Sequence, residues 1–438
     1  MTNPESPTEN ADRTDGRGRS DSVRRRRVLK TVGTGGTIAI TSLAGCTGGG
    51  GGGGGNGSGG GNGSGSGNGS GGGGGSSDTA KIGIIIPMSG DHSGQGTLYR
   101  PGFEAWSNVV NSNVDGMDVE LRFEDNNSAE QRTSRVASQL VDWGADAMIN
   151  AYSSPLTRAA GNVAESNQIP LLSTGSSNYE LHAGFDWVFE FEYPISQPAA
   201  GPLLERTPIT KVATWSTDLS WATLSKKKFV EETVPDGVEV VYNDTHPDNA
   251  RDFSSYVLRA MENGAEALVT VQYAKHIPPQ VRNIANSDWN PKFVSMVNGN
   301  SPLIQDQLPT EMRKGITGPV LWNQTVETPG SQEFIEAVNE ITGGDPEPDY
   351  HTALAFGSLE VLGAAMQELG SDFHNSEQVQ QFLYDQQVET VLGTSEFDDR
   401  GVQVGTPWLQ VQWKGDDTTP FIWPDDVAEA EFEYPMQW

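Results

Sequence analysis

Small hydroxyl residues follow three predicted strands of the 438-residue chain, where they could bind a solute. The three segments are residues 87–89 (Pro-Met-Ser), 152–154 (Tyr-Ser-Ser) and 173–177 (Ser-Thr-Gly-Ser-Ser). In open α/β sheets, ligands bind beyond the carboxyl ends of the strands, and backbone N–H groups at helix N-termini favour anions. Serine and threonine are also common helix N-caps, and the two roles can coexist. The segments therefore predict either a site for a small solute or ordinary helix caps.

These segments lie between strand-like and helix-like patterns that alternate along the chain. Residues 81–86 form a short apolar run ended by Pro87, which is typical of a buried strand. We predict further strands at 119–123, 147–149, 169–172, 212–215, 238–242, 267–271, 293–297 and 408–413. The predicted helices span 96–111, 129–143, 155–165, 221–232, 253–263, 279–286, 332–341, 351–369 and 376–384. Two successive β–α series predict an α/β fold with two doubly wound, Rossmann-like lobes and parallel sheets.

In their order along the chain, the motifs resemble those of a family of solute-binding proteins. They are IGIIIPMSG at 82–90, RFEDN at 122–126, DAMINAYSS at 146–154, IPLLS at 169–173, DFS at 252–254, YHTA at 350–353 and TVLG at 390–393. From about Lys81 to Trp413, the chain is similar to the leucine/isoleucine/valine-binding branch of ABC-transporter solute-binding proteins, which have the type I periplasmic-binding fold.

The resemblance implies two lobes that close on a ligand about a three-crossing hinge. We expect the N-terminal lobe at 78–195 plus 321–402 and the C-terminal lobe at 196–320 plus 403–438. The resemblance also implies that Ser153, Gly175 and Ser177 bind a ligand carboxylate, and that Gln95 takes the place of an aromatic lid. The candidate ligand-binding residues are Ser89, Gln95, Tyr152, Ser153, Ser154, Gly175, Ser176, Ser177, Trp221, Tyr273 and Asn298.

Asn298 departs from the pattern of this family. It lies where amino-acid binders have an acidic residue against the ammonium group of the ligand, and a neutral amide cannot supply that charge. Three interpretations stay open. Another acid such as Asp218 substitutes, the alignment is wrong by a residue or two, or the ligand is a short amide or organic acid rather than an α-amino acid.

Sequence patterns that are typical of enzymes are absent. The six histidines are scattered without metal-ligand spacing, and there is no Gly-x-Ser-x-Gly or phosphate-binding loop motif. Gly94 and Gly96 follow a strand but lack the third glycine of a dinucleotide site. We therefore expect no catalytic activity, no cofactor and no metal.

The N-terminal segment predicts export and anchoring. A basic run at 24–30 precedes an apolar stretch at 31–43, which is too short and too rich in Gly and Thr to span about 30 Å of hydrocarbon. Arg25-Arg26 resembles a twin-arginine signal. Leu-Ala-Gly-Cys at 43–46 resembles a lipobox, which implies that Cys46 is lipidated; the alternative is a lone thiol in a flexible tail. Cys46 is the only cysteine, so the chain has no disulfide.

A flexible tether follows the lipobox. Residues 48–77 are all Gly, Asn or Ser, and such a coil spans roughly 30 Å. Asn56, Asn62 and Asn68 each begin a glycosylation sequon, although sequons also arise by chance in such a composition.

The folded part of the chain is strongly acidic. Of the 28 basic and 58 acidic residues, 8 and 5 lie in the first 77 positions, which leaves a formal charge of −33 for residues 78–438. This charge excludes nucleic acid as a natural partner. It also predicts a protein adapted to high salt, because screening must suppress the self-repulsion of the surface.

Together these features predict a monomeric, lipid-anchored extracytoplasmic lipoprotein of an ABC importer. It would capture a branched-chain amino acid or a similar small polar solute and deliver it to permease and ATPase subunits in the membrane. The alternative is an extracellular receptor domain of the same fold that senses its ligand.

The acidic surface predicts stability that depends on salt. At molar KCl the Debye length falls to about 3 Å, so repulsion among the surface carboxylates is largely screened. We expect residues 78–438 to unfold cooperatively in molar KCl and to lose this transition at low ionic strength. Calorimetry across a KCl series measures the effect, and a melting temperature that does not change with salt would contradict the prediction.

Overall fold

Two twisted sheets with flanking helices form the fold, as seen in a computed structural model that describes residues 78–176, 178–194, 200–305 and 307–436. The export signal, Cys46, the tether and Ser177 therefore lie outside the described residues. Within the described ranges, no helix has the length and apolar character needed to cross a membrane.

The first sheet is built from the N-terminal β–α series and has the order β2-β3-β1-β4-β5-β6. All its strand pairs are parallel except that of β2 with β3. The central strand β1 buries Ile82, Ile84 and Ile86 completely, as the apolar run predicted. The elements are β1 (Thr79–Ile86), α1 (Ser93–Val109), β2 (Asn113–Val114), β3 (Met117–Asp125), α2 (Glu130–Trp143), β4 (Ala147–Asn150), α3 (Ser154–Asn167), β5 (Leu171–Ser173) and β6 (Val188–Glu190).

The second sheet follows with α4 (Ala200–Glu205), β7 (Lys211–Thr217), α5 (Ser220–Lys228), β8 (Glu239–His246), α6 (Ser254–Glu262), β9 (Ala267–Val271), α7 (Ile277–Ala285), β10 (Phe293–Met296), α8 (Pro302–Gln305), α9 (Thr310–Arg313) and β11 (Thr317–Val320). A π-helical turn, Phe229–Thr233, continues α5, so the helix predicted at 221–232 consists of two parts. Strands β8, β7, β9, β10 and β11 are parallel neighbours.

The remaining elements return first to one sheet and then to the other. They are α10 (Ser331–Thr342), α11 (Tyr350–Leu369), α12 (Ser376–Asp385), β12 (Val388–Thr390), β13 (Gly393–Ser395), β14 (Leu409–Gln412) and β15 (Phe421–Trp423). Strand β14 pairs antiparallel with β11, and β15 pairs antiparallel with β14. The second sheet therefore has a mixed edge, whereas the sequence analysis predicted only parallel pairing.

Helices α10 and α11 pack against α1 and so belong to the first lobe. The chain thus passes between the lobes three times: between β6 and α4, between β11 and α10, and between β13 and β14. The parallel-dominated α/β fold predicted from the sequence is confirmed.

The contact between α1 and α11 depends on a glycine. A Cβ atom at Gly102 would lie 2.1 Å from the backbone oxygen of Thr352 and 2.9 Å from Cβ of Ala355. Only a residue without a side chain lets the two helix backbones approach so closely.

Gly102→Ala should therefore destabilise the protein by about 1–3 kcal/mol, because α1 and α11 must separate to admit the methyl group. Gly94→Ala is the matched control on the same helix, since its Cβ would make an ordinary 3.5 Å contact with Leu303. The control should be neutral or slightly stabilising. Urea unfolding in molar KCl measures both variants, and equal midpoints would contradict the proposed role of Gly102.

Candidate ligand-binding site

A small cavity lies between the two lobes, at the carboxyl ends of strands from both sheets. Its volume is about 30 Å³, which is space for one or two water molecules, so the lobes are closed on each other. The lining residues are Tyr99, Tyr152, Ser153, Ser154, Gly175, Glu192, Trp221, Tyr273, Val297, Asn298, Pro319, Tyr350, His351 and Trp408.

Most of the predicted site residues meet at this cavity. Tyr152, Ser153, Ser154 and Gly175 line it from the first lobe, and Trp221, Tyr273 and Asn298 line it from the second. Ser89, Gln95 and Ser176 are not among the lining residues. Ser177 lies outside the described residues, so its predicted role in binding a carboxylate stays a prediction.

Ser89 has a different place from the one predicted. Its hydroxyl donates to the carboxylate of Asp125, which also accepts hydrogen bonds from the backbone N–H groups of Met88 at 3.0 Å and Ser89 at 3.2 Å. Asp125 ends β3, the neighbour of β1, so these bonds join the ends of two strands. Ser89 therefore fixes the loop after β1 instead of facing the cavity.

Gln95 and Ser176 also lie away from the cavity, for local reasons. Helix α1 begins at Ser93, so His92, which precedes the helix, reaches the aromatic residues in place of Gln95. The His92 ring lies edge-on to the rings of Tyr152 and Tyr273, with centroids 5.3 and 5.0 Å apart. Ser176 forms a hydrogen bond with the carboxyl group of Glu190. Burial raises the pKa of this carboxyl well above its usual range, and the hydrogen bond with Ser176 opposes the increase.

The N-terminus of α3 faces the cavity from the first lobe. Ser153 holds the N-cap position, yet its side chain makes no capping hydrogen bond to the helix backbone. No acidic residue lies in the first turn of α3. The positive end of the helix dipole and the Ser153 hydroxyl are therefore directed to the cavity, where an anionic group would be stabilised.

Buried polar contacts hold the strand ends beneath this helix. The amide of Asn150 donates to the Thr157 hydroxyl at 2.9 Å, and the hydroxyls of Thr157 and Ser173 lie 3.0 Å apart. These bonds connect the ends of β4 and β5 with the first turn of α3. Because the three groups are buried and mutually bonded, they restrict the position of the helix N-terminus.

Gly175 lets the loop after β5 approach the cavity wall. A Cβ atom there would lie 2.2 Å from the backbone oxygen of Ala151 and 2.7 Å from the Tyr99 hydroxyl. The same hydroxyl donates to the backbone oxygen of Thr174 at 3.0 Å. Only glycine fits this position.

Tyr273 connects the second lobe with the first. Its hydroxyl accepts a hydrogen bond from Nε1 of Trp221 at 3.1 Å and also bonds with the side chain of Ser153. Burial raises the pKa of Tyr273 to about 12, and these two hydrogen bonds oppose the increase. The phenol is therefore neutral at physiological pH and lies at the N-terminus of α3.

Asn298 has a structural role in the closed conformation. Its Nδ2 donates to the backbone oxygen of Gln272 at 2.8 Å, and its Oδ1 accepts from the Tyr350 hydroxyl at 3.1 Å. Gln272 follows β9 and Tyr350 begins α11 of the first lobe, so the amide joins a strand end to the opposite lobe. Its backbone has a φ of +63°, which asparagine tolerates better than most residues.

The acidic residue at the cavity is Glu192, which the sequence analysis missed. It is 6% exposed and lies two residues after β6, a strand of three residues that was not predicted either. Asp218, the acid suggested from the sequence, is exposed and does not line the cavity. A run of alternating aromatic and acidic residues at 189–193 (Phe-Glu-Phe-Glu-Tyr) was the available signal for a buried strand with acidic side chains.

Among the described residues, no group of three His, Cys, Asp or Glu side chains is arranged to hold a metal ion. The cavity lining consists mainly of aromatic rings, hydroxyls and backbone amides. Such groups are suited to binding and orienting a small solute.

Comparison with known proteins agrees with this arrangement. A family model described as periplasmic binding protein matches residues 79–418. A relative from Brucella abortus, the Leu/Ile/Val-binding protein homolog 7, is 23% identical over 391 residues, which cover 82% of this chain and 95% of the relative.

Two solved structures share the fold. The branched-chain amino acid transporter substrate-binding protein LivJ from Streptococcus pneumoniae, in complex with isoleucine, has a TM-score of 0.69 at 21% identity and covers 82% of this chain and 100% of its own. A solute-binding protein of an ABC transporter from Rhodopseudomonas palustris, in complex with p-hydroxybenzoic acid, has a TM-score of 0.70 at 16% identity, with 82% and 98% covered.

The family match extends over most of the chain, and the two sheets enclose a cavity lined from both lobes. The chain belongs to the periplasmic binding protein family, has the type I fold, and is similar to Leu/Ile/Val-binding proteins.

Proposed function

We propose that this protein captures a small polar solute, a branched-chain amino acid or a close analogue, outside the cell and delivers it to an ABC permease. The observation that carries the proposal is the cavity itself, which takes its lining from both lobes. A solute that contacts both lobes binds the closed form better than the open form and therefore shifts the population toward closure.

The hinge motion has a structural basis in the three connections between the lobes. Such connections absorb changes of backbone angle while the sheets move as rigid bodies. The bonds of Tyr273 with Ser153 and of Asn298 with Tyr350 cross between the lobes and stabilise the closed form. A permease can then distinguish the closed, loaded protein from the open, empty one by its shape.

The choice of an amino acid rests on the site and on its relatives. The N-terminus of α3, with Ser153 and Ser154, suits a carboxylate. The relative LivJ holds isoleucine, whereas another structural relative holds p-hydroxybenzoic acid. Both ligands carry a carboxylate, so an organic acid is the main alternative within this function.

Attachment to the membrane is the second part of the proposal. Cys46 follows Leu-Ala-Gly, and the tether at 48–77 would hold the folded part away from the membrane surface. The twin-arginine pattern would export the protein folded, and the acidic surface would suit a medium of high salt. These features favour a lipoprotein on the outer face of the cell membrane.

A thermal-shift screen of amino acids, amides and organic acids in molar KCl tests the capture of a solute. A ligand at about 100 times its Kd should stabilise the protein by about 2.7 kcal/mol. Ser153→Ala should then weaken binding of the best ligand by about 1–3 kcal/mol in calorimetry, because a buried polar partner is lost.

Ser138→Ala is the matched control, since Ser138 is exposed on α2. It should bind like the wild type. A screen in which no solute raises the melting temperature would contradict capture, and unchanged affinity in the Ser153 variant would place the carboxylate elsewhere.

Cys46→Ser tests the lipid anchor. We expect the variant to be released into the medium or to stay unprocessed, because lipidation requires the thiol. Cell fractionation and the mass of the mature protein measure the result. Membrane association and mass equal to those of the wild type would exclude the anchor without affecting the capture of a solute.

A further inference from the structure

We infer that the cavity selects solutes that carry a protonated amine, and that Glu192 of the first lobe binds this ammonium group. The inference rests on the proposed capture of a small solute and specifies the chemical class of that solute. The resemblance to amino-acid binders placed the ammonium site at Asn298 in the second lobe. The inference places it at Glu192 in the first lobe.

The charge of the cavity favours a cationic group. Among the described residues that line the cavity, Glu192 is the one acidic residue, and none is Lys or Arg. With 6% of its surface exposed, its carboxylate acts at short range in a medium of low effective dielectric. It attracts a cationic group strongly and repels a solute whose only charge is a carboxylate.

The surroundings of Glu192 also favour a cationic group. Six of the lining residues are Tyr or Trp, and the faces of such rings attract cations. Burial raises the pKa values of Tyr99 and Tyr350 well above their usual range, and the negative charge of Glu192 makes the next largest contribution. The carboxylate is therefore near two neutral phenols, in a setting suited to an alkylammonium group.

A place for the opposite charge of the solute lies in the same lobe. The N-terminus of α3, with Ser153, Ser154 and Gly175, offers a place for a carboxylate. The first lobe thus presents one group for each charge of a zwitterion. The second lobe presents Trp221, Tyr273, Val297 and Asn298 to the cavity, none of which is charged. We expect the charged end of the solute to bind the first lobe and its side chain to contact the second.

The structure also weakens the other sources of an ammonium partner. Both polar atoms of the Asn298 amide are engaged by Gln272 and Tyr350. Shifting the alignment by one or two residues would not place an acidic side chain at the position of Asn298, because residues 296–300 are Met-Val-Asn-Gly-Asn. Asp218 is exposed, and its charge acts on Lys226.

Matched pairs of solutes test the inference on the full chain in molar KCl. Each pair consists of an L-amino acid and the same acid without its amine: leucine with 4-methylpentanoate, and phenylalanine with 3-phenylpropanoate. 4-Hydroxybenzoate is added as an aromatic acid. We expect calorimetry to show binding of at least one amino acid, and the same acid without its amine should bind at least 100-fold more weakly.

Glu192→Gln should weaken the binding of the amino acid by roughly 10- to 100-fold, and the acid without an amine should bind as tightly as before or more tightly. The ratio of the two affinities should therefore become smaller. Glu120→Gln is the matched control, since it removes an exposed carboxyl from β3. It should leave the ratio unchanged. If the Glu192 variant does not fold, the ratio of affinities in the wild type still decides.

Wild-type binding of 4-methylpentanoate, 3-phenylpropanoate or 4-hydroxybenzoate as tight as that of every amino acid would overturn the inference and leave the capture of a solute intact. A Glu192→Gln variant with the wild-type ratio would overturn the role of Glu192. If none of these solutes nor any solute of the wider screen binds, the proposed function fails, and the inference fails with it.

Discussion

A buried helix N-terminus needs partners for its backbone N–H groups, and at α3 this need shapes the site. The N-cap residue Ser153 does not cap the helix with its side chain and instead bonds with Tyr273 of the other lobe. Trp221 holds that phenol in place. The same helix end that would suit a carboxylate therefore also stabilises the contact between the lobes.

Each lobe keeps its part of the site rigid through buried polar bonds. In the first lobe, Asn150, Thr157 and Ser173 are bonded beneath α3. In the second, Gln280 accepts from Trp215 at 3.1 Å and donates to Gln272 at 2.7 Å, beside the strand end to which Asn298 is bonded. These bonds each lie within one lobe, so a movement of the lobes relative to each other would leave them unchanged.

The sequence was sufficient to predict the elements with clear periodicity and the place where the site forms. Strand β9 at 267–271 is as predicted, because its five residues form a fully buried run between two helices. Helix α11 is nearly as predicted, because its apolar character extends over twenty residues despite Gly357 and Gly363. Strands β6, β11 and β15 were missed: β6 ends on the acidic Glu190, β11 contains Gly318 and Pro319, and β15 is a three-residue run directly before Pro424. Their absence also concealed the mixed edge of the second sheet.

The site was predicted less completely than the fold, for a physical reason. Tyr152, Ser153 and Gly175 follow predicted strands, so their convergence could be derived from the topology. Glu192 follows a strand that was missed, and Tyr350, His351 and Trp408 come from segments far along the chain. Which side chains from the returning segments reach the cavity depends on packing between the lobes, and local sequence patterns do not contain that information.

The acidic surface and the acid in the cavity act over different distances. In molar salt the charges on the surface are screened beyond about 3 Å, so the formal charge of −33 affects solubility more than it affects the solute. A buried carboxylate is screened much less. Selectivity by charge in such a medium must therefore arise from groups inside the cavity.

The small volume of the closed cavity has a consequence for kinetics. A space of about 30 Å³ is too small for an amino acid, so the lobes must move apart before a solute enters, and a loaded form must be less tightly closed than this one. If the closed form predominates without solute, the apparent affinity falls in proportion to the open fraction. The rate at which a solute enters would then be set by how often the lobes move apart.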